Sequence, residues 1–88
     1  MAHTFDELVA MQRAADEAHA RVDKLRQTYG RPTDHTWSAQ QTTTWETAWR
    51  AWRDLARDVQ RAVAEHAAEQ GTSRQSVEAE VERAARQG

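Results

Sequence analysis

The sequence predicts an all-α fold, a long antiparallel helical hairpin followed by a short third helix, and three observations carry that reading. Trp45, Trp49 and Trp52 stand at i, i+4 and i+7, one stripe of a helix, and Leu55, Ala56, Val59 and Val63 continue it. Upstream, Leu8, Ala15, Val22 and Tyr29 recur every seven residues, with Met11, Ala18 and Leu25 repeating at the same interval between them. Only 3 glycines and 1 proline interrupt the 88 residues, and two of the glycines, Gly30 and Gly71, stand where these patterns stop.

Helix 1 is expected over about residues 5 to 29. Thr4-Phe5-Asp6-Glu7 is a capping box, in which the Thr4 hydroxyl accepts from the Glu7 amide while the Glu7 side chain reaches back. Gly30 is expected to supply a left-handed C-terminal cap, and Pro32 stops propagation. Residues 30 to 37 then form a turn. Helix 2, about residues 39 to 70, has two candidate starts, Ser38 with Gln41 or Thr43 with Glu46. The β-branched run Thr42-Thr43-Thr44 is a poor helix interior, but Ala39-Gln40-Gln41 makes a good first turn and favours Ser38. Gly71 ends this helix, and Thr72 or Ser73 caps a third over about residues 74 to 87, whose apolar edge is Val77, Val81 and Ala84. With only two valines to anchor it, the segment from 71 to 88 is expected to be the least protected part of a single helical domain.

The short connection sets Tyr29, Leu25 and Val22 beside Trp45, Trp49 and Trp52. Helix 3 folded back shields the portion from Val59 to Ala67, but at about four turns it falls short of the tryptophans. Three indoles on one face are more apolar surface than a soluble monomer usually shows, and a second copy is the simplest cover. The expected assembly is therefore a homodimer of hairpins in a four-helix-type bundle, with Trp45, Trp49, Trp52, Leu25 and Tyr29 at its interface. A heterologous protein or an apolar ligand on the same stripe is the competing expectation.

Composition narrows the function classes. A chain of 88 residues buries only about 60 to 65% of its unfolded surface, and 39% apolar with 30% charged residues suits long helices around a narrow core. The formal charge of -2 gives no positive field to gather nucleic acid or an anionic membrane. Cysteine is absent, which removes disulfides, thiolate metal sites and cysteine nucleophiles, and fits a reducing, cytoplasmic setting. Residues 1 to 25 lack a signal peptide's apolar core, and no run approaches a membrane span.

Chemistry-bearing patterns are sparse. Asp16 and His19 share the i, i+3 spacing of carboxylate-histidine metal ligands, but Glu46, Asp54, Asp58 and Glu65 fall on the polar side of helix 2, so a solvated face is expected and no metal. Of the histidines at 3, 19, 35 and 66, only His66 lies on a core row, where it reads as a partly buried, hydrogen-bonded structural residue. Ser38 and Ser73 are explained as helix caps, and no glycine-rich elbow or phosphate loop surrounds any serine. Arg50, Arg53, Arg57 and Arg61 interleave with Glu46, Asp54 and Asp58 as an ion-paired solvent face, and Arg53 is placed to lie over Trp49. Neither catalysis nor a cofactor is expected.

One segment suggests an alternative. Ala67, Gly71 and Val77 have the spacing of a bacterial helix-turn-helix, and Gly71-Thr72-Ser73-Arg74-Gln75-Ser76-Val77 resembles the turn between the helices of ribbon-helix-helix repressors. That resemblance implies a small DNA-binding regulator using residues 63 to 86, with Ser73, Arg74, Gln75 and Arg83 as contacts. Glu78, Glu80 and Glu82 on the same helix would face phosphate unfavourably, and no β-ribbon precedes the segment, so a nucleic-acid partner ranks below self-association. The stretch from residue 45 to 86, with Trp49-Arg50-Ala51-Trp52-Arg53-Asp54 and a single lysine, Lys24, in an alanine-, arginine- and glutamate-rich chain, resembles the small uncharacterised helical proteins of actinomycetes and their phages. This implies a bacterial cytosolic origin and no particular activity.

Overall fold

A computed structural model describes residues 3–31 and 36–87, and among them the chain is all-helical, with three helices and no strand. The helices are α1 (Phe5–Tyr29), α2 (Ala39–Gln70) and α3 (Arg74–Gln87). Pro32, expected to stop the first helix, and His35 lie outside the described residues. No helix among the described residues is long and apolar enough to cross a membrane.

Each N-terminus is fixed by local chemistry. At α1 the Thr4 amide donates to Glu7 Oε1 at 2.9 Å and the Glu7 amide to Thr4 Oγ1 at 3.2 Å. Ser38, not Thr43, starts α2: the Gln41 amide donates to Ser38 Oγ at 3.1 Å, and the Ser38 amide to Gln41 Oε1 at 2.9 Å. Thr43 is thereby carried inside the helix, where its carbonyl accepts from the Thr47 hydroxyl at 2.9 Å. A reciprocal cap satisfies two otherwise orphaned amides, which offsets the poor helix propensity of the threonine run. At α3 the Ser73 hydroxyl accepts from the Ser76 amide at 3.1 Å.

The two glycine stops differ from each other. Gly71 adopts the left-handed conformation (φ 67, ψ 30), with its amide donating to Ala68 O and that of Thr72 to Ala67 O, the paired bonds of a Schellman ending. Gly30 has φ 79 but ψ -177, so the expected left-handed cap is corrected to an extended, positive-φ exit that only glycine adopts readily. Its amide still bonds Arg26 O, at 2.9 Å.

Contacts between α1 and α2 run in opposite order along the two helices: the His3 carbonyl meets His66, the His19 ring meets Trp52, and the Tyr29 ring meets Trp37 just ahead of α2. The body is elongated, 50 × 24 × 18 Å, so its core is a thin seam. That seam is fullest where all three helices converge. Leu8 of α1, Val63 of α2 and Val81 of α3 are the largest fully buried side chains, joined by Ala15, Val59, Ala62, Ala67 and Val77, with Phe5, Met11 and Leu55 packed at the edge.

Helix α3 is held more firmly than its two valines suggest. Val81 is 1% exposed, and the Arg13 guanidinium donates to Ala84 O at 3.3 Å and Ala85 O at 3.4 Å, satisfying carbonyls that the end of a helix leaves unpaired. Its bounds are those expected, but it was expected to fall short of the tryptophans, and instead Glu78 and Glu82 border a cavity that includes Trp52.

Candidate interaction surface

Beyond the convergence of the three helices, α1 and α2 continue with only each other for cover, and the aromatic residues gather there. Rings follow one another in a ladder. Tyr29 meets Trp37 edge-on at 5.5 Å between centroids, Trp37 meets Trp45 edge-on at 5.9 Å, and Trp45 stacks on Trp49 at 6.3 Å with 19° between planes. The i, i+4 spacing of Trp45 and Trp49 on one helix produces the stacked pair. Arg53, one turn on, lies over Trp49 with its guanidinium carbon 4.9 Å from the ring centre, the cation-π contact its spacing implies.

Trp52 stands apart from the ladder. Its ring takes the edge of His19 at 4.9 Å, and His19 Nδ1 is also 3.4 Å from Asp23 Oδ2. Asp16, the other half of the candidate metal pair, accepts from Gln12 Nε2 at 2.9 Å. Among the described residues no three His, Asp or Glu side chains converge as metal ligands.

Trp37 is the residue that periodicity misses. It belongs to no helical stripe, yet its indole Nε1 donates to Gly30 O at 3.0 Å and its ring links Tyr29 to Trp45. The one local signal is its place immediately before the Ser38 cap, the position from which an apolar residue can pack back onto the helix it introduces. The open glycine exit and this indole bond together turn the chain from α1 into the aromatic ladder.

The surface is half-buried rather than bare. All four tryptophans, with Tyr29 and Leu25, keep intermediate exposure, because neighbouring rings, Arg53 and His19 cover part of one another. Beneath them only Val22 at 6% and Ala48 at 8% are buried, both too small to fill a thick core. Trp45 Nε1 is buried without a hydrogen-bond partner, a donor whose desolvation is uncompensated. Of the expected interface residues, Trp45 and Trp49 are stacked directly and Tyr29 joins them through Trp37, whereas Trp52 sits at the border with α3.

The candidate DNA-contacting residues are arranged differently. Ser73 is occupied as a cap, its hydroxyl donating to Ser76 Oγ at 2.8 Å, and Arg74, Gln75 and Arg83 are exposed. Arg74 shares its cavity wall with Glu78 and Glu82. His66, on the opposite side of the molecule from the ladder, is half-buried with Nδ1 3.0 Å from the His3 carbonyl; an oxygen that only accepts requires the proton on that nitrogen. No family model, curated protein or solved structure matches the chain.

Proposed function

We propose that the chain is a non-catalytic, self-associating helical module, a long antiparallel hairpin with a short third helix that pairs with a second copy through its aromatic ladder to form a four-helix-type bundle. One observation carries this reading: the largest apolar side chains, the four tryptophans, stay half-buried while full burial goes to leucine, valines and alanines elsewhere. Indoles offer more apolar area than any other side chain, so completing their burial is the largest gain in free energy open to the molecule. A twofold arrangement completes it on both copies at once and closes on itself.

Sedimentation equilibrium tests it. The wild-type chain is expected at the mass of two chains at micromolar concentration, and Trp45→Ala and Trp49→Ala, checked for helicity, at the mass of one. A wild-type mass of one chain, unchanged in folded variants, overturns self-association and puts a heterologous protein on the ladder instead.

A second reading, a small DNA-binding regulator, is favoured by one local fact: Ala67 and Val77 are buried around a left-handed Gly71, as a helix-turn-helix turn requires. Glu78, Glu80 and Glu82 beside Arg74 oppose it electrostatically. Retardation of random duplex by the chain at low salt, abolished in Arg74→Ala, would raise it above self-association.

A further inference from the structure

Where α3 meets the seam of α1 and α2, the helices leave a cavity of about 180 Å³ whose walls divide by chemistry. Its floor is apolar, formed by the buried Val59 and Val63 and by the half-buried face of Trp52. Its rim is acidic: Asp16 from α1, and Glu78 and Glu82 one turn apart on α3, against the single cation Arg74. Neither Glu78 nor Glu82 lies within ion-pair or hydrogen-bond distance of a partner among the described residues. Two carboxylates at i, i+4 on one helix face repel each other, so the rim favours any cation that can sit between them.

The geometry points to a binding site for a small amphipathic organic cation, a primary ammonium joined by a short chain to one aromatic ring. The size fits one ring, since an apolar cavity of about 150 Å³ accommodates a benzene. The ring lies against Trp52 and the valines, where burial rewards apolar contact, and the ammonium reaches the carboxylates at the mouth. An anionic ligand of the same shape meets three carboxylates and is rejected. A bare metal ion gains nothing from the apolar floor, and no three carboxylate or imidazole groups converge on one point among the described residues.

The site is independent of the aromatic ladder. Glu78 and Glu82 belong to α3, and Trp52 lines the cavity but stands outside the ladder, so amine binding is expected whether the chain sediments as one copy or two.

Titration with 2-phenylethylammonium chloride, followed through the Trp52 indole N–H signal in nitrogen-proton correlation spectra, tests the assignment; the signal is identified by its loss in Trp52→Phe. A saturable shift in the millimolar range is expected, with none for phenylacetate and none for ethylammonium. Replacing both rim carboxylates, Glu78→Gln with Glu82→Gln, is expected to weaken binding about five-fold, and raising the salt concentration to weaken it in the wild type. Glutamine keeps helix propensity, so the double variant should fold; the single Glu82→Gln, expected to lose about two-fold, serves if it does not. No saturable shift up to the solubility limit, equal binding of phenylacetate, or unchanged affinity in the folded carboxylate variants would each overturn the proposal.

Discussion

The end of the molecule built from Leu8, Val63 and Val81 and the end built from Tyr29, Trp37, Trp45 and Trp49 solve the same problem with opposite materials. At the first, three helices converge and side chains of modest size are sealed to within 2% exposure. At the second, two helices and the residue ahead of α2 carry the largest rings in the chain and leave all of them only partly buried. Residue size therefore does not decide burial here; the number of helices meeting at a point does. A helix presents one apolar stripe, and a stripe is covered only when neighbours flank it on both sides. The aromatic end substitutes ring-on-ring contact for a third helix, which gives each pair about 0.5 to 1.5 kcal/mol beyond simple burial but leaves the outer faces wet.

The largest expected effect comes from breaking the sealed end. Leu8→Ala removes a fully buried side chain whose neighbours come from all three helices, and a loss of about 3 to 5 kcal/mol is expected in denaturant titration. Trp49→Ala removes a much larger group, yet its half-exposure and flexible Arg53 cover limit the loss to about 2 kcal/mol. If the order is reversed, the aromatic end is the true core. The proposed self-association predicts a second mark: the wild-type midpoint should rise with protein concentration, a dependence that Leu8→Ala keeps and Trp49→Ala loses.

Amide exchange sharpens the contrast without mutation. Slow exchange is expected over residues 55–67 and at Val77 to Val81, and faster exchange over residues 22–29 and 39–49, where fewer neighbours cover the helices. Pairing of aromatic ladders would slow the second group, and only that group, as concentration rises. Uniform protection along α2 at the lowest workable concentration would show that ring stacking alone seals the aromatic end.

Much of this was legible in the sequence, and what was not shares one cause. The all-helical class, the caps at Thr4 and Ser38, the half-buried His66 and the Arg53 contact with Trp49 all depend on partners three, four or seven residues apart, distances that a helix turns into neighbours. His66 joins this group through its core row; its bond to the His3 carbonyl does not. Arg13 reaches carbonyls 71 and 72 residues away, and no spacing encodes such a pair. Trp37 lies between helices, where there is no period to read, so the sequence pattern placed Trp52 with Trp45 and Trp49 and left Trp37 out of the ladder. Val81 looked like the edge of a weak helix because its burial depends on where α3 docks, a tertiary fact.

The two glycine exits belong to the two ends and should respond unequally. Gly30 combines positive φ with extended ψ, a region nearly closed to other residues, and its carbonyl holds the Trp37 indole. Gly30→Ala is expected to cost about 1 to 3 kcal/mol and to alter tryptophan fluorescence, because the ladder's first link depends on that exit. Gly71 has a left-handed conformation with open space where a Cβ would be, so Gly71→Ala should cost about 1 kcal/mol and Gly71→Asn less, with fluorescence unchanged. Equal losses and equal spectra would detach Trp37 from the role of closing the ladder.

The smallest effect lies at the sealed end and is read through pH. The Thr4 backbone amide and hydroxyl hold the Glu7 carboxyl below its ordinary value of 4.5, with His3 adding a smaller pull in the same direction. A depressed folded value means that the unfolded chain binds its proton first as pH falls. The capping contribution is therefore fully present above 4.5 and is lost as pH drops through the lower, folded value. Glu7→Gln keeps a side-chain acceptor for the Thr4 amide but removes the titration, so as pH drops from 4.5 through the folded value the variant's stability should fall less steeply than the wild type's. Thr4→Ala removes the hydroxyl half of the box, with a loss of about 1 kcal/mol at neutral pH and a smaller flattening in acid, since the backbone amide that pulls hardest on Glu7 remains. Because α1 begins only one turn before Leu8, fraying there loosens the sealed end first; parallel acid limbs in wild type and Glu7→Gln would show that the box is not what anchors it.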